Sequence, residues 1–442
     1  MRTPLLFVSI VMLAGCASSP MLAGENGYPG ICKKFMAEAV DELADSYLAN
    51  RDLWETFNTR YAEDSRRRLV VFMDGTGNDK SSHTNVRKLY RLAVQQACSG
   101  QPIIPYYDKG VGAKWFDRVR GGLGGRGTSL NIRQAYRFLV ESYKPDDEIY
   151  LIGFSRGAFT ARSLNGFIEF AGLIDKKTIT RGWYDGIPVP GVSSLHLTVK
   201  ALYDVYQTKY DGIPDFEKRL KAKLEDEECD LGVKSYKVKV SAIGVFDTVP
   251  ALGILQDDEP DSHRLDLYAT QGFHALSLDE QRDAFRLLRF DPLRLNGDQR
   301  LSEVWFAGVH SDIGGSYSMS YDCVATDRFA GLATTSLNWM TRKFDGFQIF
   351  PQGKQYQECA KGRLHDEYFD GVHLIYEDMG VFQRKPKPGD SIHSSVVKRM
   401  SEEPLYRPHE KREPGGRYYF TSRPNPNDIP KYFKEKSLIV VD

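Results

Sequence analysis

Apolar runs of strand length, each closed by a short turn rich in glycine and aspartate, alternate along this chain with stretches of helical periodicity. Leu69-Val70-Val71-Phe72-Met73 is continuous enough to be a strand buried on both faces, and it stops at Asp74-Gly75-Thr76-Gly77-Asn78. Ile103-Ile104-Pro105-Tyr106-Tyr107 and Glu148-Ile149-Tyr150-Leu151-Ile152 read as two more strands, with a helix expected over Asn131–Ser142 between them. Val238–Phe246 and Val304–Val309 supply later strands, each followed by a polar residue able to do chemistry. Strands alternating with helices predict an α/β fold: a mostly parallel sheet with helices on both faces.

The flanks read differently. Ile31 to Tyr61 has helical spacing, with Phe35, Val40, Leu43, Tyr47, Leu48 and Trp54 among charges, so residues 31–66 are an N-terminal helical segment before a domain spanning 67–400. Within that domain, residues 174–235 form an insertion. It contains the aromatic, proline-rich Trp183–Pro190 and the heavily charged Phe216–Cys229. The position suits a lid, and the charge run equally suits a solvated helix face. Residues 401–442 are a C-terminal cover segment, in a tail rich in Lys, Arg, Tyr and Pro from Gly371 onward.

The sharpest chemical signal is Gly153-Phe154-Ser155-Arg156-Gly157, between the strand ending at Ile152 and the helix-like Ala158–Leu164. A G-x-S-x-G turn between strand and helix is a nucleophile elbow, which strains the serine backbone and lifts its Oγ above the sheet. The Arg156 amide, next after the nucleophile, is an expected oxyanion donor, with a second from Gly75 or Thr76 after the first strand. A triad in the order serine, acid, histidine leaves two assignments. Asp247 and His310 both follow strand ends; Asp312 with His393, in a late loop, also obeys the order.

Two other matches fail. Phe72-Met73-Asp74-Gly75-Thr76 lacks an aspartyl nucleophile because Phe72 stands at that position, and the glycine-rich Gly122–Ser129 has Thr128 where a phosphate-binding loop needs lysine.

Composition narrows the class. With 442 residues, 41% hydrophobic and 27% charged, the chain is globular, and 59 basic against 59 acidic residues give no global field for nucleic acid. Arg2 and the apolar Leu5–Met12 form a signal-peptide pattern over residues 1–15, ending at Leu13-Ala14-Gly15-Cys16. That tetrapeptide resembles the bacterial lipobox, in which Cys16 is acylated, and residues 16–30 become a tether. Ala17 after the cysteine resembles outer-membrane sorting. The expected location is therefore the bacterial envelope, lipid-anchored and facing the periplasm. Of the 6 cysteines, those beyond Cys16 are odd in number and show no metal-ligand spacing, so at least one thiol is free or pairs outside the chain.

Asp74–Asn78, Gly110-Val111-Gly112, Gly121–Gly127, Gly153–Ala158, Phe246-Asp247-Thr248-Val249 and Gly308-Val309-His310-Ser311-Asp312-Ile313-Gly314-Gly315 occur in one order. The set resembles the α/β-hydrolase domain family that includes the first class of type VI lipase effectors, over about Arg67–Lys398. The resemblance implies an α/β-hydrolase core and phospholipid hydrolysis, and it favours His310 as the base. A lipoprotein signal is not expected of an injected effector. The expected activity is a serine hydrolase of phospholipid esters, with no metal or organic cofactor. The alternatives are an esterase or thioesterase on soluble acyl compounds, or a silent envelope lipoprotein that binds a partner. An immunity or envelope protein partner is left open by the sequence.

Overall fold

A computed structural model describes residues 46–75, 83–110, 124–179, 194–207, 234–250, 265–317, 331–365, 384–403, 406 and 433–442. The Cys16 lipobox, Thr76, and the Trp183–Pro190 and Phe216–Cys229 parts of the insertion lie outside them. The chain divides into two compact units: Ser46–Glu169 with Val238–Asp442, and one containing Phe170–Lys237.

The larger unit is built on an eight-stranded sheet, all of whose pairings are parallel. Its first strands are β1 (Arg68–Met73), β2 (Ile103–Asp108) and β3 (Glu148–Phe154). In the smaller unit, β4 (Leu173–Ile174) pairs antiparallel with β5 (Ser235–Tyr236), and Phe170 meets Tyr206 of α5 (Ser194–Gln207). The large sheet continues with β6 (Ala242–Phe246), β7 (Gln271–Ser277), β8 (Arg300–Phe306), β9 (Ser391–His393) and β10 (Ile439–Val441). Its order is β10-β9-β8-β7-β6-β3-β1-β2. After β2 the chain crosses back over β1 to lay down β3, and every later strand adds on that side. The crevice at the carboxyl ends of β1 and β3 is thus a topological switch point, where α/β sheets bind ligands.

The other helices are α1 (Ser46–Arg60), α2 (Asn85–Cys98), α3 (Gly124–Ser142), α4 (Arg156–Ala171), α6 (His310–Gly314), α7 (Leu332–Phe344) and α8 (Ser394–Glu402). β1 and β3 are apolar along nearly their whole length because both of their faces are covered. Trp54 of α1 packs edge-on against Phe138 of α3, which stacks on Tyr106 of β2. Arg67, buried just before β1, pairs with Asp147 just before β3 at 2.6 Å and donates to Ser142 O and Asn58 Oδ1, so the entrances of these neighbouring strands are tied together. The result is an α/β fold with an α/β-hydrolase-like parallel sheet flanked by helices.

Sequence expectation and structure differ at several elements. α3 starts at Gly124 rather than Asn131, so part of the glycine-rich stretch is helix. β6 begins at Ala242, not Val238, and β8 ends at Phe306, since Gly308 turns the chain with φ 129°. β7 was not expected at all.

Candidate active site

The elbow is built by two glycines. A Cβ on Gly157 would lie 2.2 Å from Met73 O, and one on Gly153 would lie 2.6 Å from Gly157 O. Their absence lets α4 start directly against the ends of β1 and β3. Ser155 then takes φ 60°, a left-handed conformation costly for a side-chain-bearing residue, and its amide donates to Phe246 O at 3.0 Å. That bond sets the serine beside the end of β6. Arg156 heads α4, where first-turn amides and the helix dipole favour negative charge.

Asp247 follows β6 with φ 43° and is wholly buried. Its Oδ2 lies 2.6 Å from His310 Nδ1, while its Oδ1 accepts from Arg384 at 2.6 Å and from Ser277 N at 2.8 Å. Burial opposes the charge, but the Arg384 guanidinium, the His310 hydrogen bond and the His310 ring together hold this carboxyl well below the ordinary range. An ionised Asp247 accepts the Nδ1 proton of His310, which leaves Nε2 as the basic nitrogen. Burial lowers the His310 pKa, against the upward pull of Asp247. Its ring lies between Phe154 at 4.7 Å and Phe285 at 4.9 Å, and no protein group bonds Nε2 among the described residues.

Carboxylates clamp the turn that carries His310. Gly308 N donates to Asp279 Oδ2, Val309 N to Asp312 Oδ2 and His310 N to Glu280 Oε2, at 2.7, 3.1 and 3.2 Å. Gly314 lets the turn close on the elbow, because a Cβ there would sit 1.9 Å from the Phe154 ring.

The structure therefore brings Ser155, Asp247 and His310 to one edge of the sheet, and it does not bring Asp312 and His393 together as a pair. Asp312 Oδ1 lies 2.7 Å from His365 Nδ1, and His365 stacks on Tyr317. His393 caps α8, its Nδ1 accepting from Ser395 N, and its ring stacks on Phe306. The Gly75 amide donates to Asp74 Oδ1 at 2.7 Å, so this expected oxyanion donor is engaged by its neighbour. Arg156 lines a narrow hollow of about 10 Å³ with Asp74, Asp108, Asn131 and Thr160.

Arg384 escaped sequence reasoning: it sits in a basic tail whose composition gave no sign of a buried residue. Arg162 escaped too. It is buried two turns along α4, with its pKa lowered to about 10 by burial, and donates to the carbonyls of Leu265, Leu288 and Arg289. Among the described residues no group of three or more acidic, His or Cys side chains is set to hold a metal, and no helix is long and apolar enough to cross a membrane.

Known proteins resemble this chain to differing degrees. A curated relative, the uncharacterized protein YEL023C of Saccharomyces cerevisiae, is 32% identical over 248 residues, covering 52% of this chain and 33% of its own. The chain thus spans about a third of the length of that relative. Among solved structures, an uncharacterized protein from Pseudomonas aeruginosa aligns with 71% of this chain and 49% of its own at 16% identity and a TM-score of 0.35. A propionate-bound esterase from Thermogutta terrifontis aligns with 65% of this chain and 87% of its own at 14% identity and a TM-score of 0.31. Scores this low add nothing to the sheet order itself. The family model described as "T6SS, Phospholipase effector Tle1-like, catalytic domain" matches residues 67–343, the span that holds Ser155, Asp247 and His310. The chain belongs to this Tle1-like phospholipase effector family.

Proposed function

We propose that this protein is a serine hydrolase that cleaves carboxylic ester bonds of membrane phospholipids, a phospholipase of A type, through Ser155, His310 and Asp247. The observation that carries the reading is the buried 2.6 Å contact of Asp247 with His310 Nδ1 beside a serine held at φ 60°. His310 Nε2 takes the Ser155 proton as Oγ attacks the ester carbonyl, and Asp247 stabilises the imidazolium that forms. The Arg156 amide donates to the oxyanion. Collapse of the tetrahedral intermediate passes the proton from Nε2 to the leaving alcohol and leaves an acyl-enzyme, which water, activated by the same nitrogen, hydrolyses to fatty acid. These steps call on no metal or organic cofactor.

The test is product analysis on mixed phospholipid vesicles with wild type, Ser155→Ala, Asp247→Asn and His310→Ala, together with labelling by a fluorophosphonate. Free fatty acid and lysophospholipid from wild type, labelling at Ser155, and kcat losses of about 10⁴-fold or more in each folded variant are expected. Hydrolysis confined to soluble esters or thioesters would replace the phospholipid assignment. No labelling of folded protein would favour a silent lipoprotein whose role is to bind an envelope or immunity protein.

We further propose that acylated Cys16 anchors the chain to the bacterial envelope, facing the periplasm, and so concentrates the site at its substrate surface. The lipobox resemblance of Leu13-Ala14-Gly15-Cys16 supports this. Cys16→Ser should move the protein out of the membrane fraction; unchanged fractionation would exclude this anchor.

A further inference from the structure

Behind Asp247 lies a second buried His–carboxylate pair that the reaction as written does not use. His274, in the middle of β7, is fully buried and its Nε2 accepts from the Thr248 amide at 3.1 Å. Accepting there fixes the proton on Nδ1, which faces Glu303 Oε1 of β8 at 2.9 Å. Glu303 Oε2 accepts from Arg289 Nε at 2.8 Å, and Arg289 forms a double bridge to Asp390 at 2.9 Å on both nitrogens. Asp390 also accepts from Trp305 Nε1 and from Lys387 N. A chain of polar contacts thus runs from buried Thr248 and His274 outward to the part-exposed Arg289 and Asp390.

Such a chain is an expensive way to fill a core. Buried ion pairs lose hydration, and apolar side chains of similar volume often serve stability as well or better. What this one does is hold a backbone position. Asp247 sits at φ 43°, where a residue with a Cβ is strained and needs its neighbours to keep it there. Its own amide donates to Ala275 O, and Leu288 N donates to Thr248 O, both between main-chain atoms. The Thr248 amide is held by a side chain, and its acceptor is the His274 ring.

We infer that His274, oriented by Glu303, is a positioning residue for the Asp247 carboxylate: it fixes the Thr248 amide, and thereby the turn that aims Asp247 at His310. The inference rests on the proposed role of Asp247. It assigns His274 no contact with substrate and no proton transfer.

Two polar substitutions separate the roles of the two ring nitrogens. The His274→Gln amide reaches the Nε2 position and keeps an acceptor for Thr248 N–H; that of His274→Asn reaches only the Nδ1 position and loses it. Turnover of p-nitrophenyl butyrate by the full chain is measured per folded molecule, with thermal melts on each variant. His274→Asn is expected to lower kcat about 10²-fold with KM unchanged, the scale of a misplaced catalytic group, and His274→Gln to recover about tenfold of it. In an Asp247→Asn background, adding His274→Asn should cost less than about twofold, because the two act as one unit. Equal turnover of the Asn and Gln variants, or a full additional loss in that background, overturns the role of His274 while leaving Asp247 as the acid. Wild-type turnover by Asp247→Asn itself would instead bring down the acid assignment and this role with it. Should His274→Asn fail to fold, His274→Met replaces it, with similar volume and no acceptor of comparable strength, and the same outcomes decide.

Discussion

Arg384 bonds the oxygen of Asp247 that His310 leaves unused, at 2.6 Å, and also donates to Ser277 O and Phe285 O. One cation therefore keeps Asp247 ionised and joins it to the segment bearing Phe285, whose ring lies against His310. Arg384→Met should strand a buried carboxylate and destabilise the fold by about 3–5 kcal/mol. In protein that still folds, Asp247 would turn its full charge on His310, raising the imidazole pKa and moving the acid limb of kcat/KM to higher pH. A pH-rate profile with an unmoved limb would show that Arg384 does not tune the site.

Asp312 and His393 should behave as structural residues. Asp312→Asn weakens the hold on Val309 N and on His365 and is expected to lower kcat about tenfold, far less than the loss expected for the proposed residues Ser155, Asp247 and His310. His393→Ala removes the cap of α8, at a cost of about 1 kcal/mol, with kcat near wild type. Steady-state kinetics beside chemical denaturation distinguish the two kinds of loss. A folded but inactive His393→Ala beside an active His310→Ala would exchange their roles.

Gly314→Ala tests the contact between the His310 helix and the elbow. A methyl group there must push the Phe154 ring aside, and Phe154 both precedes Ser155 and packs on His310. We expect kcat to fall about 10²-fold, more than the stability loss would account for. Fluorophosphonate labelling should slow in parallel. A variant that loses stability but labels at the wild-type rate would contradict this coupling.

Acid should weaken the fold in two stages, against which Asp74 and Asp312, both raised by burial, have the opposite sign. Burial lowers the pKa of His274, His310 and His393, the last to about 4, so below about 6.5 the unfolded chain binds protons these rings refuse. Stability is lost through that window. Glu280 and Glu303, held at about 2 against burial by Arg282 and by His274 with Arg289 respectively, add a second loss below about pH 4.5. Asp74 has the opposite sign. Burial raises it to about 6 despite bonds from Thr84, Tyr107 and Gly75, so ionising it above that pH costs about 3 kcal/mol. The Tm of Asp74→Asn relative to wild type should therefore climb between about pH 4 and about pH 6.5. A flat difference would show that Asp74 does not titrate there.

Much of this was legible where local pattern and tertiary demand coincide. β1, β2 and β3 carry apolar runs because both of their faces are covered, and the elbow glycines are required by contacts within a few residues and by β1. β7 was invisible because Gln271-Gly272-Phe273-His274-Ala275-Leu276-Ser277 places a glycine and a histidine inside a buried strand. Gly272 is needed where Leu267 and Leu301 press in, and His274 is tolerated only because Thr248 and Glu303 satisfy both of its nitrogens. Such partners are far away in sequence and leave no periodicity. The pairing of Asp312 with His365 was hidden for the same reason, since 53 positions separate them.

The partners of Asp247 also lie far along the chain, His310 by 63 positions and Arg384 by 137. A ribosome releasing this chain therefore delivers Ser155 well before His310, and longer still before the cation that Asp247 binds. Any truncation upstream of Arg384 should therefore yield a chain whose buried Asp247 carboxylate has lost its guanidinium partner.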